Sequence, residues 1–319
     1  MDKRVMTVLG AVAPDELGIV DGHSHVWIDP VLDAAPDAPV LNNETAIAAE
    51  LRQFRAAGGG AIVDHQPGGC GRNGRILPTL SRASGVHLIA STGFHRKIYY
   101  PPGHLLWHMD AGAAADLFVD ELTVALHETK ESVPPVRAGV IKIAGETTLA
   151  ETPQQLLEAA AIACLKTDCA ISMHTERGTA VEDFLRFFLD QGVDPQRLIF
   201  CHVDKRPDFA FHQAIAQTGA RLEYDTFFRP KYEPERNVWP LLEKMIQAGL
   251  AAQIILATDM ADSGMWRTMG GRPGAAAFMT ELKTRLETMA VPAAAIQDLM
   301  GRNVSFRLAR PLPDEENFS

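Results

Sequence analysis

The chain has 319 residues, with 30 Lys plus Arg against 40 Asp plus Glu, so its formal charge is −10. Hydrophobic residues at 46% and charged residues at 22% exclude extensive disorder, and the acidic balance argues against a nucleic-acid partner, which would need a basic face for phosphates. No run approaches the ~20 apolar residues of a membrane span, and no signal-peptide run follows the early Lys3-Arg4 pair, so a cytoplasmic protein with no membrane partner is expected.

Eight short apolar runs recur along the chain, at 18–26, 60–66, 87–93, 138–145, 170–175, 198–203, 221–226 and 254–260. They are rich in Ile, Val and Leu without strict alternation, as suits strands covered on both faces of a parallel sheet. Between them lie helical patterns. Residues 44–58 place Ile47, Leu51 and Phe54 on one face and stop at Gly58. Residues 152–167 open with Thr152 as N-cap and Pro153 in the first helical position. Residues 182–192 and 208–219 again end at glycine. Strand and helix alternating eight times with no composition break predicts one (β/α)₈ barrel domain over 1–319, with 311–319 a frayed tail. The competing open doubly wound sheet would carry a glycine-rich phosphate loop after its first strand, and here HSHVWIDP follows instead. Cys70, Cys164, Cys169 and Cys201 form no CxxC pair and read as buried free thiols. Strand alternation points Cys201 away from the side chain of His202.

In such a barrel, functional groups sit where the strands end. Those ends carry His23 and His25, Asp64 and His65, Lys142, His174, His202 and Asp259. His23 and His25 are two apart on a strand and project from one face, and neutral imidazole is a good ligand for Zn²⁺ and similar ions. Lys142 interrupts the apolar run VIKIA, and an unpaired buried ammonium is costly. An amine that has reacted with CO₂ becomes instead an anionic carbamate able to bridge two metals. Asp64 and His65 are read as support for neighbouring groups. His87, His104, His108, His127 and His212 are read as structural or surface residues.

The motifs HSH, VIKIA, SMHT, FCHVD and ATDM, in that order on strands one, four, five, six and eight, resemble the phosphotriesterase family of the amidohydrolase superfamily. The resemblance extends to VDHQPGGCGRNG and STGFHRKIYYPP after strands two and three. It implies two divalent metal ions, zinc foremost with manganese, cobalt or iron as alternatives. One would be held by His23, His25 and Asp259, the other by His174 and His202, with a carbamate on Lys142 bridging both. Some relatives carry Glu at that bridging position. The resemblance further implies hydrolysis by a metal-bridging hydroxide whose proton Asp259 takes up. The expected activity is therefore a metal-dependent lactonase acting on a sugar or other small lactone. Phosphotriester or carboxyl-ester hydrolysis is the alternative, and a non-catalytic metal- or sugar-binding barrel a more remote one.

Cations just beyond strands six and seven favour a substrate bearing phosphate or carboxylate, with Lys205 and Arg229 as the foremost candidates, then Lys231. Arg177 is a further candidate, with pairing to Glu176 as its alternative. Tyr99, Tyr100 and His95, after strand three, are candidates to position the substrate. The segment 261–274 after strand eight is too short for a long hydrophobic lid. Barrels of this type often form homodimers.

Overall fold

The computed structural model describes residues 2–312. An antiparallel hairpin of Val5–Thr7 and Gly10–Val12, absent from the sequence reading, precedes the barrel. All eight expected strands follow: Ile19–Ser24 (β1), Gly59–Asp64 (β2), His87–Ile89 continuing as Ser91–Gly93 (β3), Val140–Ala144 (β4), Ile171–His174 (β5), Leu198–Cys201 (β6), Arg221–Tyr224 (β7) and Ile254–Leu256 (β8). Each pairs in parallel with the next, β1 through β8, with β3 interrupted only at Ala90. The sheet closes through hydrogen bonds across the β8–β1 seam. The Thr258 amide donates to Asp21 Oδ1 at 3.0 Å and the Asp259 amide to the His23 carbonyl at 2.8 Å.

Alternation along the strands sorts the side chains. Val20, Ala61, Val63, Ile89, Val140 and Ile255 form an inner cluster at the base of the barrel. Ile62, Leu88, Ile141, Leu222 and Ile254 turn outward onto the helices. Those helices are Glu44–Ala56 (α1), Leu77–Ser84 (α2), Ala111–Thr123 (α3), Gln154–Thr167 (α4), Val181–Asp190 (α5), Phe209–Gln217 (α6) and Val238–Gln247 (α7). Ile47, Leu51 and Phe54 of α1 are fully buried in the outer cluster, as their spacing predicts. Val304 and Leu308, from the C-terminal helix Asn303–Leu308 (α8), join the inner cluster and close the base.

One local expectation is corrected. Thr152 does not cap α4, whose N-cap is Pro153. The Thr152 hydroxyl donates to the Thr148 carbonyl at 2.9 Å and accepts from the Glu146 amide at 2.9 Å, so it closes the turn after β4. Trp266 and Met265, in the segment after β8, are buried in the core. That segment is tied to α1 by buried Glu50, which accepts from the amides of Thr268 at 2.7 Å and Ala275 at 2.9 Å. Residues 313–319 of the expected tail lie outside the described residues. All four cysteines are buried and unpaired, as expected.

Candidate metal centre and active site

Backbone irregularities at three strand ends turn the site residues inward. The β1–β2 register slips between Asp21 and Ser24. Val20 and His23, three residues apart, thereby both face the interior. Gly22 sits within the slip, where a Cβ would overlap Ile255. His202 has φ +63° and Asp259 φ +46°, left-handed values that few non-glycine residues adopt. The turn at His202 breaks strand alternation, so Cys201 and His202 both face inward. The expectation that Cys201 points away is therefore wrong: its Sγ lies 3.1 Å from the inward Ser172 hydroxyl, and it clusters with His23, His65 and Glu223.

Asp259 is the point of convergence. Its Oδ1 lies 3.7 Å from Nε2 of both His23 and His25, and its Oδ2 lies 4.0 Å from His202 Nδ1. The His174 and His202 rings meet edge to face at 4.7 Å, which brings the β5 end to the same place. Donor atoms of His23, His202 and Asp259 all lie within 4.8 Å of one another. Lys142 is fully buried, and its Nζ has no hydrogen-bond partner among the described residues. His23 Nε2 is likewise buried and unpartnered.

Each imidazole is held from its other side or by a neighbouring acceptor. His23 Nδ1 donates to Glu223 Oε1 at 2.7 Å, His25 Nδ1 to Gln66 Oε1 at 2.8 Å, His202 Nδ1 to Asp225 Oδ2 at 2.5 Å and His174 Nε2 to Glu176 Oε1 at 2.9 Å. Such partners fix the tautomer and orient a ligating ring. His65 stacks on His23 with ring centroids 3.8 Å apart, and its Nε2 meets the Ser172 hydroxyl at 2.7 Å. Asp64 faces the other way and accepts from the Val26 amide at 3.0 Å.

Burial pushes the charged forms of these bases down. It lowers His25 and His174 to about 4, against the opposing pull of Asp259 on the first and Glu176 on the second. Both imidazoles are thus neutral at pH 7. Burial also lowers the Lys142 amine, against nearby Cys201 and the carboxylates of Glu223 and Asp259. Asp259 shows the opposite balance. Burial raises its carboxyl, but Arg229, then Lys205, outweigh it and hold the acid below its ordinary range. Glu223 and Asp225 are raised by burial and by carboxylate neighbours.

The mouth residues divide. Arg229 Nη2 donates to Asp259 Oδ2 at 2.9 Å, and Lys205 is half-buried near Asp225 and Asp259. Tyr99 packs edge to face on His95, and both line a cleft of about 320 Å³ together with His25 and Gln66. Tyr100 does not join them. It is buried, and its hydroxyl accepts from the His95 amide at 3.0 Å. Lys231 is exposed, with its amine over the Tyr232 ring, and Arg177 is exposed in a left-handed turn. The partner of Glu176 is Arg96, at 2.8 Å, and not Arg177. His212 is structural as expected, bonded to the Tyr224 hydroxyl and the Arg206 carbonyl.

Glu223, Asp225, Gln66 and Arg96 were not singled out by the sequence reading. Two acidic residues spaced two apart in the run RLEYDT carry the same signal as Lys142 in VIKIA. They are charges at alternate positions of a buried strand, which demand partners inside the barrel.

The fold and the site define a (β/α)₈ barrel with histidines, carboxylates and a buried lysine gathered at its C-terminal mouth. The chain belongs to the phosphotriesterase family, whose sequence profile matches residues 3–304. A "Phospho-furanose lactonase" of Mycoplasmopsis synoviae is 29% identical over 273 residues, covering 81% of this chain and 76% of the relative. An "N-acetyltaurine hydrolase" of Danio rerio is 27% identical over 300 residues, covering 81% and 84%. A solved lactonase structure from Listeria monocytogenes superposes with TM-score 0.85 at 20% identity, over 98% of this chain and 100% of the other, and shares the fold. Among the described residues no helix is long and apolar enough to cross a membrane.

Proposed function

We propose that this chain is a metal-dependent hydrolase that opens a small lactone ring, with a phosphate- or carboxylate-bearing sugar lactone as the substrate class. The observation that carries the reading is the convergence of His23, His25, His202 and Arg229 on Asp259 within 4.0 Å, at the mouth where barrel enzymes place their chemistry. The lactonase relative supports the substrate class.

The donor set fits two divalent ions, zinc foremost. Neutral imidazoles, an ionised Asp259 and the unpartnered His23 Nε2, Glu223 Oε2 and Asp225 Oδ1 are atoms whose lone pairs a cation would satisfy, and Lys142 Nζ lies buried and unpartnered beside them. Burial first, then neighbouring carboxylates, raise Glu223 and Asp225, and a bound cation would offset both effects by favouring their ionised forms. His23, His25 and Asp259 would hold one ion, His174 and His202 the other, with Lys142 between them. Burial holds the Lys142 amine toward its neutral form, which is the form that adds to CO₂, releasing a proton and leaving a carbamate. Bound divalent ions would supply a hydroxide nucleophile near neutral pH and polarise the carbonyl oxygen.

The chain's own residues do the rest. Asp259, held ionised by Arg229, accepts the proton of the attacking water and passes it to the ring oxygen as the ester bond breaks. Lys205 presents an ammonium to the anionic group, while Arg229, already bonded to Asp259, serves chiefly to orient that carboxylate. Tyr99 and His95 line the adjoining cleft and bound the ring. A phosphotriester or carboxyl ester would meet the same groups.

Metal analysis and a pH-indicator screen of lactones with and without phosphate test this reading. About two ions per chain and a preference for anionic lactones are expected. A carefully prepared protein with no metal, or no lactone turned over in a screen where an ester or amide is, would overturn it.

A further inference from the structure

The opposite end of the barrel carries a second cationic cleft, of about 740 Å³. Five basic side chains, Lys3, Arg197, Arg221, Arg302 and Arg307, line it against three carboxylates, an excess of two positive charges in a protein of net −10. Arg197 pairs with Asp168, and Arg302 lies within 3.9 Å of Asp15 and Asp298. Arg221 and Arg307 have no ion pair among the described residues. Their polar bonds are to backbone carbonyls only: Arg221 to Gly219 at 3.1 Å, and Arg307 to Gln196. The Nε of each is buried with no hydrogen-bond partner among the described residues. Half-buried guanidiniums in excess over their carboxylates are costly, and Arg307 is pushed down to about 10 by burial, then by Arg221 and Arg197, against the opposing pull of Asp194.

We propose that this cleft is a binding site for a tetrahedral oxyanion carrying two negative charges, either free phosphate or the phosphate of a monoester. Guanidinium groups match such oxygens two at a time. Arg221 opens β7 and Arg197 immediately precedes β6, whereas the metal-site candidates end those strands. The inner apolar cluster, with Ile199, Ile255 and Leu308, separates the two ends. The cleft is thus distinct from the catalytic mouth.

The test is thermal unfolding and equilibrium dialysis of the metal-loaded enzyme with inorganic phosphate and with glycerol 3-phosphate. An Arg221→Gln/Arg307→Gln double variant and an Arg307→Gln single variant are compared with the wild type. The site predicts a wild-type Tm rise of roughly 2 °C at ten times Kd. It also predicts loss of one bound anion per chain in the double variant, with turnover in phosphate-free buffer unchanged. Response to both ligands identifies the phosphate group itself as recognised, and response to the ester alone identifies a monoester. A Lys205→Gln variant, which removes the ammonium assigned to the anionic group at the mouth, must retain the rise. Equal phosphate stoichiometry in wild type and double variant, or a rise abolished by Lys205→Gln instead, would overturn the proposal. If the double variant does not fold, the single variant decides: an undiminished affinity for phosphate overturns it.

Discussion

Glu223 Oε1 lies 2.7 Å from His23 Nδ1, so the other nitrogen of that ring is turned, unpartnered, into the barrel. A strand two-thirds of the chain away thus sets the direction in which a β1 imidazole can ligate.

Replacing Glu223 by Ala should weaken divalent-metal affinity about 10- to 100-fold. Competition against a chromophoric chelator reads the change, and circular dichroism should show an intact fold. Undiminished affinity would remove Glu223 from the support of the site.

Lys142→Met should lower the metal content toward one ion per chain and abolish turnover. Lys142→Glu supplies a permanent carboxylate in the same strand. It should bind metal without dependence on CO₂ and keep measurable activity, whereas the wild type reconstituted in CO₂-free buffer should load poorly. Wild-type loading indifferent to CO₂ would exclude the carbamate.

Arg229 is the largest influence holding the buried Asp259 carboxyl down against burial. Arg229→Gln should therefore raise that carboxyl, and its base form would be lost at a higher pH. The acid limb of kcat/KM should move up by about one pH unit. Asp259→Asn should abolish turnover at every pH while leaving the fold. An acid limb unmoved in Arg229→Gln would show that Asp259 is not the titrating base.

The site was legible in the sequence where a residue contradicted its surroundings. His23, His25, Lys142, His174 and His202 each end or interrupt an apolar run, and the structure brings them together around Asp259. What could not be read were departures from ideal strand geometry. The left-handed turn at His202 reversed the reading of Cys201, and nothing local in FCHVD announces it. Long-range pairing was equally hidden. Arg96 reaches Glu176 across 80 positions, while the neighbour Arg177 turns to solvent. Polar loops contain too many cations for spacing alone to choose among them.

A stability prediction lies outside the site. Burial would raise Glu128, but hydrogen bonds and charge from Arg72, at 2.7 and 2.8 Å, outweigh it and hold the carboxyl below 4.5. A depressed folded-state acid contributes stability above its unfolded value, and that stability is lost as pH falls through the folded value. Glu128→Gln should cost about 1.5–3 kcal/mol at pH 7 and progressively less below pH 4.5. Denaturant unfolding at pH 7 and pH 3 checks this, and an equal loss at both would refute the ionic contribution.

The seam that closes the barrel runs through the Asp259 amide and the His23 carbonyl. The first barrel strand must therefore pair with the last before His23 meets the carboxylate it faces. A nascent chain can offer a passing metal only fragments of the cage. Closure of the barrel and assembly of the candidate site thus depend on the same backbone contact.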